Sequence, residues 1–166
     1  MAVAELVSLE EYLRTSYRPD CDYVDGELRE RNVGELSHGR LQLRIGTWMY
    51  SREARWRIKV VTEVRLQIRS RRFRIPDLMV LSSDAPCEEV VHTPPLLCIE
   101  ILSKDDRMTE IMERVEDYFQ MGVPTCWIID PVRRHGWVAT PEHLSRATVE
   151  VLCAGEIEMP LAEVFE

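Results

Sequence analysis

The sequence predicts a single α/β layered domain spanning residues 1–166, and three observations carry that prediction. Three strand-like runs follow one another, "IKVVTEVRLQIR", "RIPDLMVLS" and "PLLCIEILS". An amphipathic helix pattern, "DDRMTEIMERVEDYFQMG", separates the last of them from another apolar run, "PTCWIIDP". No repeat, low-complexity segment or Pro/Gly/Ser-rich linker divides the chain, and 166 residues suit one domain with a real core. The expected order is helix, three-strand antiparallel meander, crossover helix, then a parallel strand. The crossover helix should pack on the sheet, with an extra helix and hairpin before this core and extra strands after it.

Each element has a local cause. In "VSLEEYLRTSY", Ser8 followed three residues later by Glu11 forms a capping box that starts a short helix. In "DYVDGELRE", Asp25-Gly26 lies between alternating residues and signals a hairpin turn. "ELSHGRLQLRIGTWMYSREA" places Leu41, Ile45, Trp48 and Met49 at helical spacing. The first strand candidate alternates in its second half, with Val64, Leu66 and Ile68 on one face, and "SRRFR" reads as a basic turn after it. "SDAPCEEVVHTPP" is a proline-containing loop. In the crossover helix Met108, Ile111, Met112, Val115, Tyr118 and Phe119 share one stripe, and Gly122 ends it. The remaining segment reads as two or three short strands and a terminal helical turn, with Asp130-Pro131 capping a turn.

Composition narrows the function. No apolar run approaches the ~20 residues of a membrane span, and the N-terminus lacks a secretory signal pattern, so a cytoplasmic protein without a membrane partner is expected. Five scattered cysteines without a C-x-x-C pair fit reduced, mostly buried thiols rather than a zinc site. The net charge of −8 alone argues against a nucleic-acid partner. Its distribution does not: from Arg40 to Arg74 there are eleven Lys/Arg against two acids. That stretch is either a polyanion-binding face or a set of solvated arginines on a helix and a hairpin. The four tryptophans read as packing residues.

Two acids interrupt apolar strands, Asp77 in "RIPDLMVL" and Glu100 in "LLCIEILS". A buried carboxylate costs several kcal/mol (roughly) unless it is paired or coordinates a metal. If the two strands are neighbours, the carboxylates converge and can share Mg²⁺, which takes one or two protein acids plus substrate phosphates. The alternative is that each caps a turn or pairs with an arginine such as Arg74 or Arg114.

The order of these segments resembles the PD-(D/E)XK nuclease superfamily, and within it the Uma-type putative restriction endonuclease family. "DYVDGEL", "SHGRLQLRIGTWM", "RIPDLMVL", "CIEILSKDD" and "RVEDYFQMGVPTCWIIDP" are similar, in that order, to the family's successive motifs. The resemblance implies a restriction-endonuclease-like core, a homodimer acting on DNA, and Mg²⁺ or Mn²⁺ held by Asp77 and Glu100. His38 lies on the matching helix, near the metal or a phosphate, unless it is a helix histidine bonded to a backbone carbonyl. The superfamily lysine two residues after the glutamate is Leu102 here. Relatives supply a lysine from the next helix, where this chain has Arg114; Lys104 is the second candidate, provided the strand runs two residues further. Arg69, Arg71, Arg72 and Arg74 are expected to track a DNA backbone from a hairpin tip. The expected activity is metal-dependent DNA phosphodiester hydrolysis. The alternatives are a catalytically silent nucleic-acid-binding or assembly relative and a phosphohydrolase of small phosphate esters.

Overall fold

The apolar runs become the inner strands of one sheet, and the turn signals mark where the chain leaves it. The computed structural model describes residues 6–32, 34–145 and 150–165. In chain order the elements are α1 (Leu9–Arg14), β1 (Cys21–Val24), β2 (Glu27–Glu30), α2 (Leu36–Tyr50), α3 (Glu53–Trp56), β3 (Ile58–Thr62), β4 (Leu66–Arg69), β5 (Arg72–Arg74), β6 (Leu78–Ser82) and β7 (Leu97–Ile101). There follow α4 (Met108–Met121), β8 (Cys126–Asp130), β9 (His135–Ala139), β10 (Leu144–Ser145), β11 (Val151–Ala154), β12 (Ile157–Pro160) and α5 (Leu161–Phe165).

The larger sheet runs β10-β9-β8-β7-β6-β3. Its meander is β3, β6 and β7, all antiparallel, and α4 carries the chain across to β8, which lies parallel to β7. The expected core order is therefore present. One boundary differs: the run "IKVVTEVRLQIR" is not one strand but β3 and β4, which belong to different sheets. Glu63 between them has φ 54°, a left-handed backbone that turns the chain out of β3. The "SRRFR" segment is likewise not only a turn, because its last three residues are β5, paired with both β4 and β1.

Side-chain alternation divides the core in two. Leu78, Val80, Leu97, Ile99, Trp127 and Ile129 face Leu41, Ile45 and Met49 of α2, together with the β11–β12 hairpin and α5. Met79, Leu81, Cys98, Cys126 and Ile128 face Ile111, Val115 and Tyr118 of α4. With both faces covered, β6, β7 and β8 need apolar residues at every position, which is why they read as continuous runs. The same parity puts Glu100 on the α4 face.

The smaller sheet runs β2-β1-β5-β4. Ser8 accepts the Glu11 N–H at 3.1 Å and starts α1, whose Tyr12 packs on Tyr23 and Phe73 with ring centroids 4.9 and 5.6 Å away. Asp25 and Gly26, with φ of 54° and 108°, make the β1–β2 turn. This sheet meets the flank of α4 through charge. Arg74 of β5 is 2% exposed; its Nη1 lies 3.0 Å from Asp22 of β1, and its Nε lies 2.7 Å from Asp117 of α4. Its Nη2 reaches Glu113 at 3.1 Å.

Removing one partner of a buried ion pair leaves the other uncompensated and costs about 3–5 kcal/mol. Arg74→Met should lower urea-unfolding stability by about that amount. A loss within the scatter of exposed-arginine controls would contradict this role.

Candidate active site

The register of one strand pair creates the site. Leu78 of β6 pairs with Ile99 of β7, so one step further the same antiparallel register sets Asp77 across from Glu100. Residues directly opposite share a face with Cβ atoms roughly 5 Å apart, and like charges there repel. Both carboxylates are buried, at 4% and 1% exposure. They need cations, and three elements bring them.

Arg31, just past the end of β2, inserts its guanidinium between the two acids. Its Nη2 donates to Asp77 Oδ1 at 2.7 Å and lies 3.5 Å from Glu100 Oε2. Arg114, from the second turn of α4, reaches Glu100 Oε2 at 3.3 Å through Nη1 and Asp22 Oδ2 at 3.3 Å through Nε. Tyr118, one turn later on the same face, donates its hydroxyl to Glu100 Oε1. On the other side, His38 Nε2 of α2 lies 3.3 Å from Asp77 Oδ2, and the Ile101 N–H donates to the same oxygen at 2.7 Å. Gln42, one turn after His38, donates to the Asp77 backbone carbonyl at 3.0 Å.

These surroundings split the two acids. Burial pushes the Asp77 carboxyl up, but the His38 hydrogen bond, the Arg31 charge and the Ile101 N–H outweigh it, and the net direction is down. For Glu100 burial wins: the charges of Arg31 and Arg114 offset it only in part, Asp77 opposes ionisation, and the net direction is up. Glu100 is therefore the first of the pair to accept a proton. Burial disfavours a charged His38, yet its hydrogen bond to Asp77 and that residue's charge hold its pKa above the ordinary 6.5.

The expected site residues are not all brought together. Asp77, Glu100, Arg114 and His38 lie in one cluster. Lys104 does not join it: β7 ends at Ile101, so the extension that would place Lys104 beside Glu100 is absent. Its ammonium instead pairs with Glu35 at 2.9 Å and is largely exposed. The four arginines divide. Arg74 is buried in the ion pairs described above, and Arg72 holds Asp117 at 2.7 Å and Asp25 at 3.1 Å, so neither is a free hairpin-tip cation. Arg69 and Arg71 are exposed, with Arg69 Nη2 2.9 Å from Asp25. The arginine-pair alternative for Glu100 is present through Arg114, while Arg74 pairs elsewhere. Arg31, Asp22 and Tyr118 are members that sequence patterns did not single out. Asp22 stands at the head of the "DYVDGEL" segment and Tyr118 sits in the apolar stripe of α4, but nothing local marks Arg31.

Two carboxylates of hard oxygen within reach of one cationic atom suit Mg²⁺, which keeps several waters and needs only one or two protein acids. Among the described residues no group of three or more His, Cys, Asp or Glu gathers as a ready cage. A divalent ion between Asp77 and Glu100 would take the place that the Arg31 guanidinium holds. Asp77 also opens onto a cleft of about 740 Å³ lined by Tyr17, Arg18, Arg31, His38 and Glu63.

The raised His38 value carries a sign. Its stabilising contribution is fully present below pH 6.5 and is lost as pH rises through the raised value. An NMR titration of the His38 imidazole should show a midpoint above 6.5 that drops in Asp77→Asn. A wild-type midpoint at or below 6.5 would contradict the geometry.

Comparisons with known proteins give the chain its fold and family. No curated protein matches the sequence. The crystal structure of a putative nuclease belonging to DUF820 from Anabaena variabilis ATCC 29413 has a TM-score of 0.83 and 19% identity, covering 96% of this chain and 97% of that one. At that identity the likeness establishes the fold, a restriction-endonuclease-like α/β arrangement. Among the described residues no helix is long and apolar enough to cross a membrane. The Uma2 family model, described as putative restriction endonuclease, matches residues 9–165, and the chain belongs to that family.

Proposed function

We propose that the protein is a metal-dependent endonuclease that hydrolyses DNA phosphodiester bonds, with Mg²⁺ or Mn²⁺ held by Asp77 and Glu100. The observation that carries this reading is the opposition of two buried carboxylates, Glu100 on β7 and Asp77 at the entry to the adjacent β6, both within reach of one cationic atom. A nuclease family and a nuclease-like fold support it.

Each residue has a part. The chemistry supplied by a bound divalent ion is polarisation of a phosphate oxygen and acidification of a water for in-line attack. Asp77 stays ionised because His38, Arg31 and the Ile101 amide favour its charged form. Arg114 and Tyr118 hold Glu100 from two sides and fix which oxygen faces Asp77. Arg114 cannot deprotonate at any working pH, so its share is charge stabilisation of the phosphate rather than general-base work. His38, whose charged form the neighbouring Asp77 favours, would donate to a phosphate oxygen in the cleft it lines. The exposed Arg69 and Arg71 offer cations to a DNA backbone, which would position the duplex without reading its sequence. Each chain carries one such site, so cutting both strands calls for a homodimer.

Two observations favour a second reading, a catalytically silent nucleic-acid-binding relative. The Arg31 guanidinium stands where the ion would sit, and among the described residues no lysine accompanies Glu100.

Cleavage of supercoiled DNA with Mg²⁺ or Mn²⁺ separates them. The wild type should nick the plasmid, and Asp77→Ala and Glu100→Ala should each lose about 10²–10³-fold or more, the scale for losing a major electrostatic stabiliser. Arg114→Lys should retain cleavage and Arg114→Ala lose it. DNA binding without cleavage in the wild type would favour the silent relative. Cleavage that survives in both acid variants would place the chemistry elsewhere.

A further inference from the structure

Arg31 is the one cation of the cluster, among the described residues, that sits outside the sheets and helices, since Arg114 and His38 are carried by α4 and α2. It follows β2 directly; its backbone N–H is anchored to the Asp20 carbonyl at 2.8 Å, so its main chain is fixed independently of the contacts its guanidinium makes. Its guanidinium is incompletely satisfied where it lies. Nη2 serves both Asp77 and Glu100, whereas Nη1 is buried and finds no hydrogen-bond partner among the described residues, lying 4.0 Å from Asp22 Oδ1. A buried, unmatched N–H costs free energy that a settled structural arginine such as Arg74, with each terminal nitrogen bonded, does not incur.

The same residue also borders two clefts. One opens to Asp77 and His38. The other, of about 480 Å³, is lined by Glu30, Glu35 and Asp105 beside Lys104. A guanidinium leaving the Asp77–Glu100 pair therefore has acids to meet on the adjoining side, close to water.

We propose that Arg31 is a built-in competing cation. It neutralises Asp77 and Glu100 in the metal-free protein, and a divalent ion enters only by displacing it toward the second cleft. The proposal rests on the reading of Asp77 and Glu100 as metal ligands and adds the control of that site. A single positive charge bonded unevenly, at 2.7 and 3.5 Å, holds the two acids less completely than a divalent ion sharing both. Retaining an arginine there keeps two opposed carboxylates from repelling each other when no metal is present, and it lowers the apparent affinity for the ion that replaces it.

Mn²⁺ binding, read from the loss of the free-ion EPR signal at low ionic strength, tests this without any cleavage assay. Arg31→Met should bind Mn²⁺ about tenfold tighter than wild type, a typical coupling between two ligands of one site. Asp77→Asn should abolish binding, which locates the ion. Because Arg31→Met leaves the carboxylates opposed, Mn²⁺ should raise its Tm by more than it raises the wild-type Tm; an equal rise would count against the proposal. Arg31→Lys keeps a cation and gives a folded control whose affinity should fall between the two. In the wild type, the Arg31 Nε–H resonance, assigned by its loss in Arg31→Lys, should move on addition of diamagnetic Mg²⁺. Binding that requires Asp77 but is equal in wild type and Arg31→Met, with an unmoved Arg31 resonance, would overturn the competing-cation role alone. No Mn²⁺ binding by any of these proteins would overturn it together with the metal reading itself.

Discussion

Two like charges set opposite each other in a dry strand pair are the constraint on which the rest of this structure depends. The β6–β7 register leaves Asp77 and Glu100 no way to avoid one another, since a slip by one residue would turn Glu100 to the α2 face and exchange the β7 side chains of the two cores. The repulsion is therefore answered from outside the pair. Arg31 comes from the segment after β2, Arg114 and Tyr118 from α4, and His38 from α2. Both long helices that pack on these strands, α2 and α4, contribute a group aimed at one of the two acids.

That answer propagates. Arg114 needs Asp22 as well as Glu100, Asp22 needs Arg74, and Arg74 needs Asp117. The chain of ion pairs joins the smaller sheet to α4 and, through α4, to the larger sheet. Asp22 also accepts the Ile75 N–H at 3.0 Å, which fixes the strand end from which Asp77 emerges. Stability and site geometry thus rest on the same carboxylates and guanidiniums. A substitution in this network is expected to disturb both.

Much of this was legible in the sequence, for reasons that can be named. Strands covered on both faces leave continuous apolar runs, so β6, β7 and β8 were visible, and an acid inside such a run stands out as an anomaly. The α4 stripe and Gly122, in the left-handed C-cap with φ 103°, marked the crossover. The break between β3 and β4 was not legible, because Glu63 adopts a positive φ without being glycine and the β-propensity of its neighbours is unbroken. The hairpin arginines illustrate a second limit. Arg74 and Arg69 look alike in "RSRRFR", yet alternation and the position of Asp117 bury one and expose the other. Arg31 was least legible of all: an arginine after a polar strand is common, and only long-range packing puts it between two carboxylates.

The central claim is that the Asp77–Glu100 pair is a divalent-cation seat. Anomalous diffraction from crystals grown with Mn²⁺ tests it most directly. The account predicts a Mn²⁺ peak bonded to both carboxylates, with the Arg31 side chain moved off them. A map with no peak there, and the guanidinium still bridging Asp77 and Glu100 at saturating Mn²⁺, would contradict it.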